Sequence, residues 1–209
     1  PEDDGTVTLV ATVVDDYGKV IAQRKVVMEL AVHIQAREVE QRLAAPPPAK
    51  PPRKYFNVDY AAPDTAPPDP HPPTMHQRIG PDGKPAPLPV SHAHQVIHLA
   101  PGVGRDEVDV DLSRLATMPQ VYAWLRQWQP EAFYWQYTSL DSGIHASYPG
   151  HGGYPRIYDP RKREWYVLAR ETAEHAWTIM PEVSTSTIAL TVAAKVRRPD
   201  GTFAGVTAI

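Results

Sequence analysis

Apolar and polar positions follow two different periods along this chain, and the switches between them mark its elements. Thr6 to Val14 is β-branched and apolar and is closed by the turn signal Asp15-Asp16-Tyr17-Gly18, which predicts either a first strand or the tail of an upstream element. From about Val20 to Ala45 the period becomes helical. Val20, Val27, Leu30, Ala31, Ile34, Val39 and Leu43 recur at helical spacings with Glu, Gln, Arg and Lys between them, predicting one long amphipathic helix. Pro46-Pro47-Pro48 ends it, because proline lacks the amide and clashes with the preceding turn.

Residues 46–89 hold most of the proline and predict a long extended insertion, partly polyproline II, with Tyr55 to Tyr60 as its one strand-like island. Order resumes at Val90 with a strand-like stretch ended by Pro101-Gly102, and a second apolar stretch, Val108 to Leu112, follows. Ser113 is placed to cap a helix running to about Trp128, with Pro119 marking a start or a bend. Strands are expected at 132–140 and 144–148, a helix from about Trp165 to His175, and strands at 186–196 and 203–209, the last two joined by a Pro199-Asp200-Gly201 hairpin turn. The pattern is α+β: antiparallel strands with helices on one side. Three segments result, with 1–45 an N-terminal strand or tail and long helix, 46–89 the insertion, and 90–209 the main module, which shares one domain with the helix over 20–45.

Composition narrows the function. With 209 residues the chain can bury one good core or two small ones, and a net charge of −3 argues against a nonspecific nucleic-acid partner. The absence of cysteine excludes a disulfide framework and a thiolate metal site. No run approaches the roughly 18 apolar residues that span a bilayer. The ends at Pro1 and at Ile209, inside an apolar run, read as those of a piece of a longer protein.

Several candidate chemistries fall away. Gly150-His151-Gly152-Gly153 has neither the Lys-Ser/Thr of a phosphate loop nor dinucleotide spacing. His71, His76, His92, His94 and His98 cluster in sequence, and His92 and His94 would share a strand face, so a His-rich metal site is one alternative; solvated or core-edge histidines are the other. Asp141, Ser142 and His145 lie too close along one hairpin for a catalytic triad, and Glu171 and Glu174 lack a second carboxylate set. Neither an enzyme nor a cofactor is expected.

Binding remains, and Tyr158-Asp159-Pro160-Arg161-Lys162-Arg163-Glu164-Trp165-Tyr166 is its strongest signal, with guanidinium forks beside aromatic walls suited to a carboxylate or phosphate. Four landmarks occur in order: Phe133 to Gly143 with its Asp-x-Gly turn, Tyr148-Pro149-Gly150, the Tyr158–Tyr166 box, and Asp200 to Ile209. Together they resemble the Cache family of extracytoplasmic sensor domains over roughly the last hundred residues.

That resemblance implies a PAS-like sheet flanked by helices, and a small carboxylate-bearing ligand, an amino acid or an organic acid. It implies that Tyr158, Arg163, Trp165 and Tyr166 line the pocket, with Arg163 the anion anchor and Trp165 donating through its indole N–H. For the amine half, the family's Tyr-x-Asp pair has Glu182 and Ser184 as its closest counterparts here, a departure from the amino-acid-sensing pattern. The parent would be an inner-membrane receptor with this part periplasmic, and the N-terminal helix would report ligand binding or pair with that of a second copy. The alpha-2-delta subunits of voltage-gated calcium channels share the box, so a structural module of a larger extracellular assembly is the other implied role.

Overall fold

A computed structural model describes residues 4–62, 64–69 and 76–209, with side chains from residue 18 onward; His71 and Pro72-Pro73 lie outside the described residues. The first element, α1 (Asp4–Ala44), is a 41-residue helix that absorbs both the β-branched run at 6–14 and the turn signal after it. The expected strand there is not formed. A β-branched residue costs a helix only tenths of a kcal/mol, while an already nucleated helix gains a hydrogen bond with each added residue.

The stripe that α1 buries is Met28, Ala31, Val32, Gln35, Ala36, Val39 and Leu43, spaced by three and four, whereas Val20 and Leu30 stay exposed. Apolar residues occur on more than one side of this helix, and periodicity alone does not decide which side meets the sheet.

The remaining elements are β1 (Tyr55–Phe56), β2 (Gln77–Ile79), β3 (Pro85–Pro87), β4 (Val96–Leu99), α2 (Asp109–Leu115), α3 (Met118–Arg126), β5 (Gln136–Leu140), β6 (Ile144–Tyr148), α4 (Glu164–Glu171), β7 (His175–Pro181), β8 (Ile188–Arg197) and β9 (Phe203–Ala208). Seven strands form one sheet in the order β1-β4-β6-β5-β9-β8-β7, and β2 and β3 pair apart from it. All neighbours in the large sheet are antiparallel except β1 with β4. The fold is α+β and PAS-like: the β5–β6 hairpin and the β7–β8–β9 meander meet where β9 closes against β5.

Three predicted elements differ. The single helix over 113–128 is two, with a break at Ala116 and Thr117, and Ser113 lies inside α2 instead of capping it. Pro119 sits in the first turn of α3, where its missing amide is not needed. The helix expected to reach His175 ends at Glu171, and His175–Pro181 is a strand that the sequence pattern did not predict. Residues 132–135 precede β5 instead of forming its start.

Alternation along β5 and β6 assigns each residue to one of two faces. Leu140, Ile144 and Tyr148 join α1, α2 and α3 in the main core. Through that face a buried polar ladder runs from Tyr122 Oη to Thr138 Oγ1 at 2.8 Å and on to Thr207 Oγ1 at 2.8 Å, where Gln35 of α1 also binds. At Gly205, φ is +156° and a Cβ would fall 2.2 Å from the Ser139 carbonyl oxygen, so β9 approaches β5 this closely only because that position is glycine.

The proline-rich stretch is anchored at several places, among them the following. β1 adds to the sheet edge through Tyr55 opposite Val96. Further on, Ile79 N donates to Thr185 O at 2.8 Å, while Arg78 donates from Nε to Ser184 O at 2.9 Å and from Nη2 to Gly152 O at 2.6 Å.

Candidate functional site

The opposite face of β5 and β6 presents Trp135, Tyr137, Ser139, His145 and Ser147, and there the sheet is covered by α4 and the loops around 150–158 and 182–187 in place of α1. Between them lies a cavity of about 60 Å³ whose wall includes Tyr137, His145, Tyr154, Tyr158, Arg163, Trp165 and Glu182.

The box builds one side. Asp159 accepts from Arg161 N at 3.1 Å, Nε at 2.8 Å and Nη2 at 2.9 Å, and Arg161 Nη1 donates to Asp141 O at 3.1 Å. The Arg161 guanidinium holds the Asp159 carboxyl below its usual range. This pair fastens the short turn over Pro160–Lys162 to the β5–β6 hairpin and delivers Arg163 to the start of α4.

Arg163 Nη2 donates to Pro181 O at 2.9 Å and lies 3.4 Å from Met180 Sδ. Its other nitrogens carry no bond, and it forms no ion pair, among the described residues. Trp165 packs edge-on to Tyr137 with ring centroids 5.0 Å apart. Tyr158 stacks on Tyr154 at 5.4 Å, and burial pushes both phenols well above their ordinary range.

Tyr166 does not join them. Successive helical residues are rotated by about 100°, and with Trp165 on the cavity wall Tyr166 is carried to Phe203, 5.9 Å away at a right angle.

Glu182 lies on the cavity wall in the β7–β8 connection. Its Oε2 accepts from Ser184 Oγ at 2.6 Å, Thr185 Oγ1 at 2.7 Å, Thr185 N at 2.8 Å and Ser184 N at 3.0 Å, whereas Oε1 shares only the Ser184 amide. Ser184 is therefore a prop for the carboxylate and is not itself on the wall. Its hydroxyl also meets His151 Nε2 at 2.8 Å.

The sequence pattern missed the aromatic and imidazole part of the wall: Trp135, Tyr137, His145 and Tyr154. The available signal was the alternation of Trp135, Tyr137 and Ser139 opposite the apolar set on β5. His145 Nδ1 is 2.7 Å from Ser139 Oγ. Ser139 is not on the cavity wall, and no carboxylate holds His145 Nε2 among the described residues, so the pair lacks the orientation of a nucleophile and its base.

The Gly-rich loop has a packing explanation: a Cβ at Gly150 would fall 2.0 Å from Tyr60 Oη and 2.8 Å from His94 O. His92 and His94 go to separate neighbours, Tyr148 and Tyr55, while His76 packs on Trp135 with centroids 4.5 Å apart. Among the described residues no three His, Cys, Asp or Glu side chains come together as a metal site.

No family model matches the chain. No curated protein matches it either. Among solved structures it is similar to the ligand-binding domain of the Pseudomonas aeruginosa PAO1 amino-acid chemoreceptor PctC in complex with GABA, at 28% identity over 35% of this chain and 34% of that one, TM-score 0.33. It is also similar to that of PctB from the same organism in complex with L-Arg, at 26% identity over 43% and 36%, TM-score 0.37. A third is the ligand-binding domain of the Pseudomonas fluorescens chemoreceptor CtaA in complex with L-valine, at 22% identity over 43% and 42%, TM-score 0.37. The chain spans less than half the length of each of these three. Among the described residues no helix is long and apolar enough to cross a membrane.

Proposed function

We propose that this chain is the extracytoplasmic, periplasmic sensing part of a membrane-bound signal-transduction receptor, and that it binds a small carboxylate-bearing metabolite in the cavity beneath α4. The observation that carries this reading is the pair Arg163 and Glu182. They put opposite charges on one cavity wall, yet neither forms an ion pair among the described residues. Unpaired charges in a partly desolvated site are costly unless a ligand answers them. A zwitterion answers both, which favours an amino acid over a plain organic acid.

In this reading the free nitrogens of Arg163 take the carboxylate as a fork, and the indole N–H of Trp165 and the hydroxyl of Tyr158 supply further donors. Glu182, held by the 184–185 loop with one oxygen lightly used, faces the ammonium. No step of bond making is involved.

Signal transmission would be linkage: the ligand favours one arrangement of the wall, and whatever senses that arrangement is biased with it. α1 is placed for this. Gln35 Nε2 donates to Ala208 O at 3.1 Å and lies 3.4 Å from Tyr137 O, so the helix touches the backbone of the strand whose Tyr137 side chain lines the cavity. Exposed Val20, Ile21 and Val26 suit pairing of α1 with a second copy. Segment 90–209 together with the helix over 20–45 would form the sensing domain.

A thermal-shift screen of amino acids and small organic acids tests the reading. A true ligand at a hundred times its dissociation constant adds about 2.7 kcal/mol of stability, and Arg163→Ala should remove that gain while changing the unliganded protein by less than about 1 kcal/mol. If no amino acid or small carboxylate stabilises the protein, the proposal fails.

A further inference from the structure

Away from the cavity, two histidines from distant parts of the chain face each other across the joint between α1 and β7. His33 Nε2 lies 3.2 Å from His175 Nδ1, and the rings meet edge-on at 71° with centroids 5.4 Å apart. The other nitrogen of His175, Nε2, is 2.9 Å from Glu29 Oε1, and Glu29 stands one helical turn before His33 on α1. That carboxylate is kept ionised. It accepts from Trp177 Nε1 at 2.9 Å and pairs with Lys25 Nζ at 3.0 Å, which hold its pKa below the usual value.

In the neutral ring the anion takes the Nε2–H of His175, so Nδ1 turns a bare lone pair toward His33. In the protein alone, His33 donates from its own Nε2 into that lone pair. A carboxylate that fixes the far nitrogen of an imidazole is the usual outer support of a metal-bound histidine. The spacing agrees, because two imidazole nitrogens about 2.0–2.1 Å from one tetrahedral Zn²⁺ stand about 3.3–3.4 Å apart. Imidazole pairs suit Zn²⁺, Ni²⁺ and Cu²⁺ and not the oxygen-seeking Mg²⁺ or Ca²⁺. No third His, Cys, Asp or Glu joins the pair as a ligand among the described residues, and the exposure of His33 leaves the other positions to water.

We propose that His33 and His175 form a two-histidine site for a divalent transition metal, with Glu29 orienting His175. On binding, His33 moves its proton to the other ring nitrogen, and both facing lone pairs go to the metal. The ion clasps α1 to β7, the edge strand of the sheet, whose far end leads through Met180 and Pro181, the partners of Arg163, to Glu182. The site stands apart from the cavity and does not depend on the sensor reading.

Calorimetric titration of the whole chain with Zn²⁺ tests it, beside His33→Ala and His175→Ala, and with His92→Ala as a control in the other group of histidines. His33 is exposed and His175 half-buried, so neither replacement opens the core. Each should weaken Zn²⁺ binding by about tenfold or more, Glu29→Gln by about tenfold, and His92→Ala not at all. With Cu²⁺ added below equivalence, electron paramagnetic resonance should show two imidazole nitrogens in the wild type and one in either histidine variant, a signature that a merely structural role would not move. No Zn²⁺ binding to the whole chain, binding unchanged in either His33→Ala or His175→Ala, or binding lost in His92→Ala overturns the inference. Glu29→Gln without effect overturns the orienting role of that carboxylate.

Discussion

The two faces of the β5–β6 hairpin are made by the same ten strand residues and do opposite things. Toward α1, Leu140, Ile144 and Tyr148 close into a core, in which Thr138 bonds Tyr122 and Thr207 and Gln136 Nε2 donates to Gln35, while Gln136 Oε1 is without a partner among the described residues. Toward α4, Tyr137 and His145 line a cavity together with Arg163, which forms no ion pair among the described residues, and the propped carboxylate of Glu182. One face spends its residues on stability. The other holds a cation and a carboxylate at the wall of a cavity, which is what a site for a charged ligand requires.

That contrast can be broken at several points. The largest effect is expected from Leu140→Ala, which empties a fully buried position on the α1 face. It should cost about 2–5 kcal/mol in urea unfolding while ligand preference stays unchanged. A loss below 1 kcal/mol would mean that this face is not the main core.

Acidification should act next, and through the cavity face and the histidines stacked behind it. Burial holds His98, His145 and His151 below the ordinary imidazole range and His76 down to about 4. Free imidazoles protonate near 6.5, so between about pH 6.5 and pH 4 the unfolded chain binds more protons than the folded one. Stability is then fully present above that window and falls as pH drops through it, by about 1 kcal/mol per pH unit for each histidine kept neutral. Urea midpoints measured from pH 7.5 to pH 5 should decline, less steeply in His76→Phe. A flat profile would show that the imidazoles are solvated.

The smallest effect concerns the strap behind Glu182. Arg78→Ala removes two bonds to the carbonyls of Ser184 and Gly152. It should cost about 1 kcal/mol and weaken ligand binding a few-fold by loosening the 184–185 loop. Unchanged affinity at reduced stability would separate the strap from the site.

Much of this was legible in sequence because it depends on local chemistry. The long helix before Pro46, the hairpin turns, and the aspartate and arginine of the box are set by neighbours within a few residues. The strand at His175–Pro181 was missed because its burial is that of a half-covered edge strand, with Ile179 exposed and Thr178 buried, which inverts the usual reading of apolar and polar positions. Residues 6–14 became helix because propagation from a formed helix outweighs a weak strand propensity. Tyr166 and Ser184 were expected at the ligand from the family resemblance. Helical rotation takes the first to Phe203, and the second answers Glu182.

What the sequence alone determined is the α+β pattern, the proline-rich excursion, and the placing of Arg163 and Trp165 at the start of a helix. These follow from periods and turn residues that act over a few positions. Only the tertiary structure decided that Glu182, some twenty residues away, shares a cavity with Arg163, that Trp135, Tyr137, His145 and Tyr154 line it, and that the chain from 76 to 79 straps the loop behind them. The physical reason is that strand pairing and the closing of β9 on β5 bring together residues far apart in the chain, and no local period encodes which of two faces will be left open.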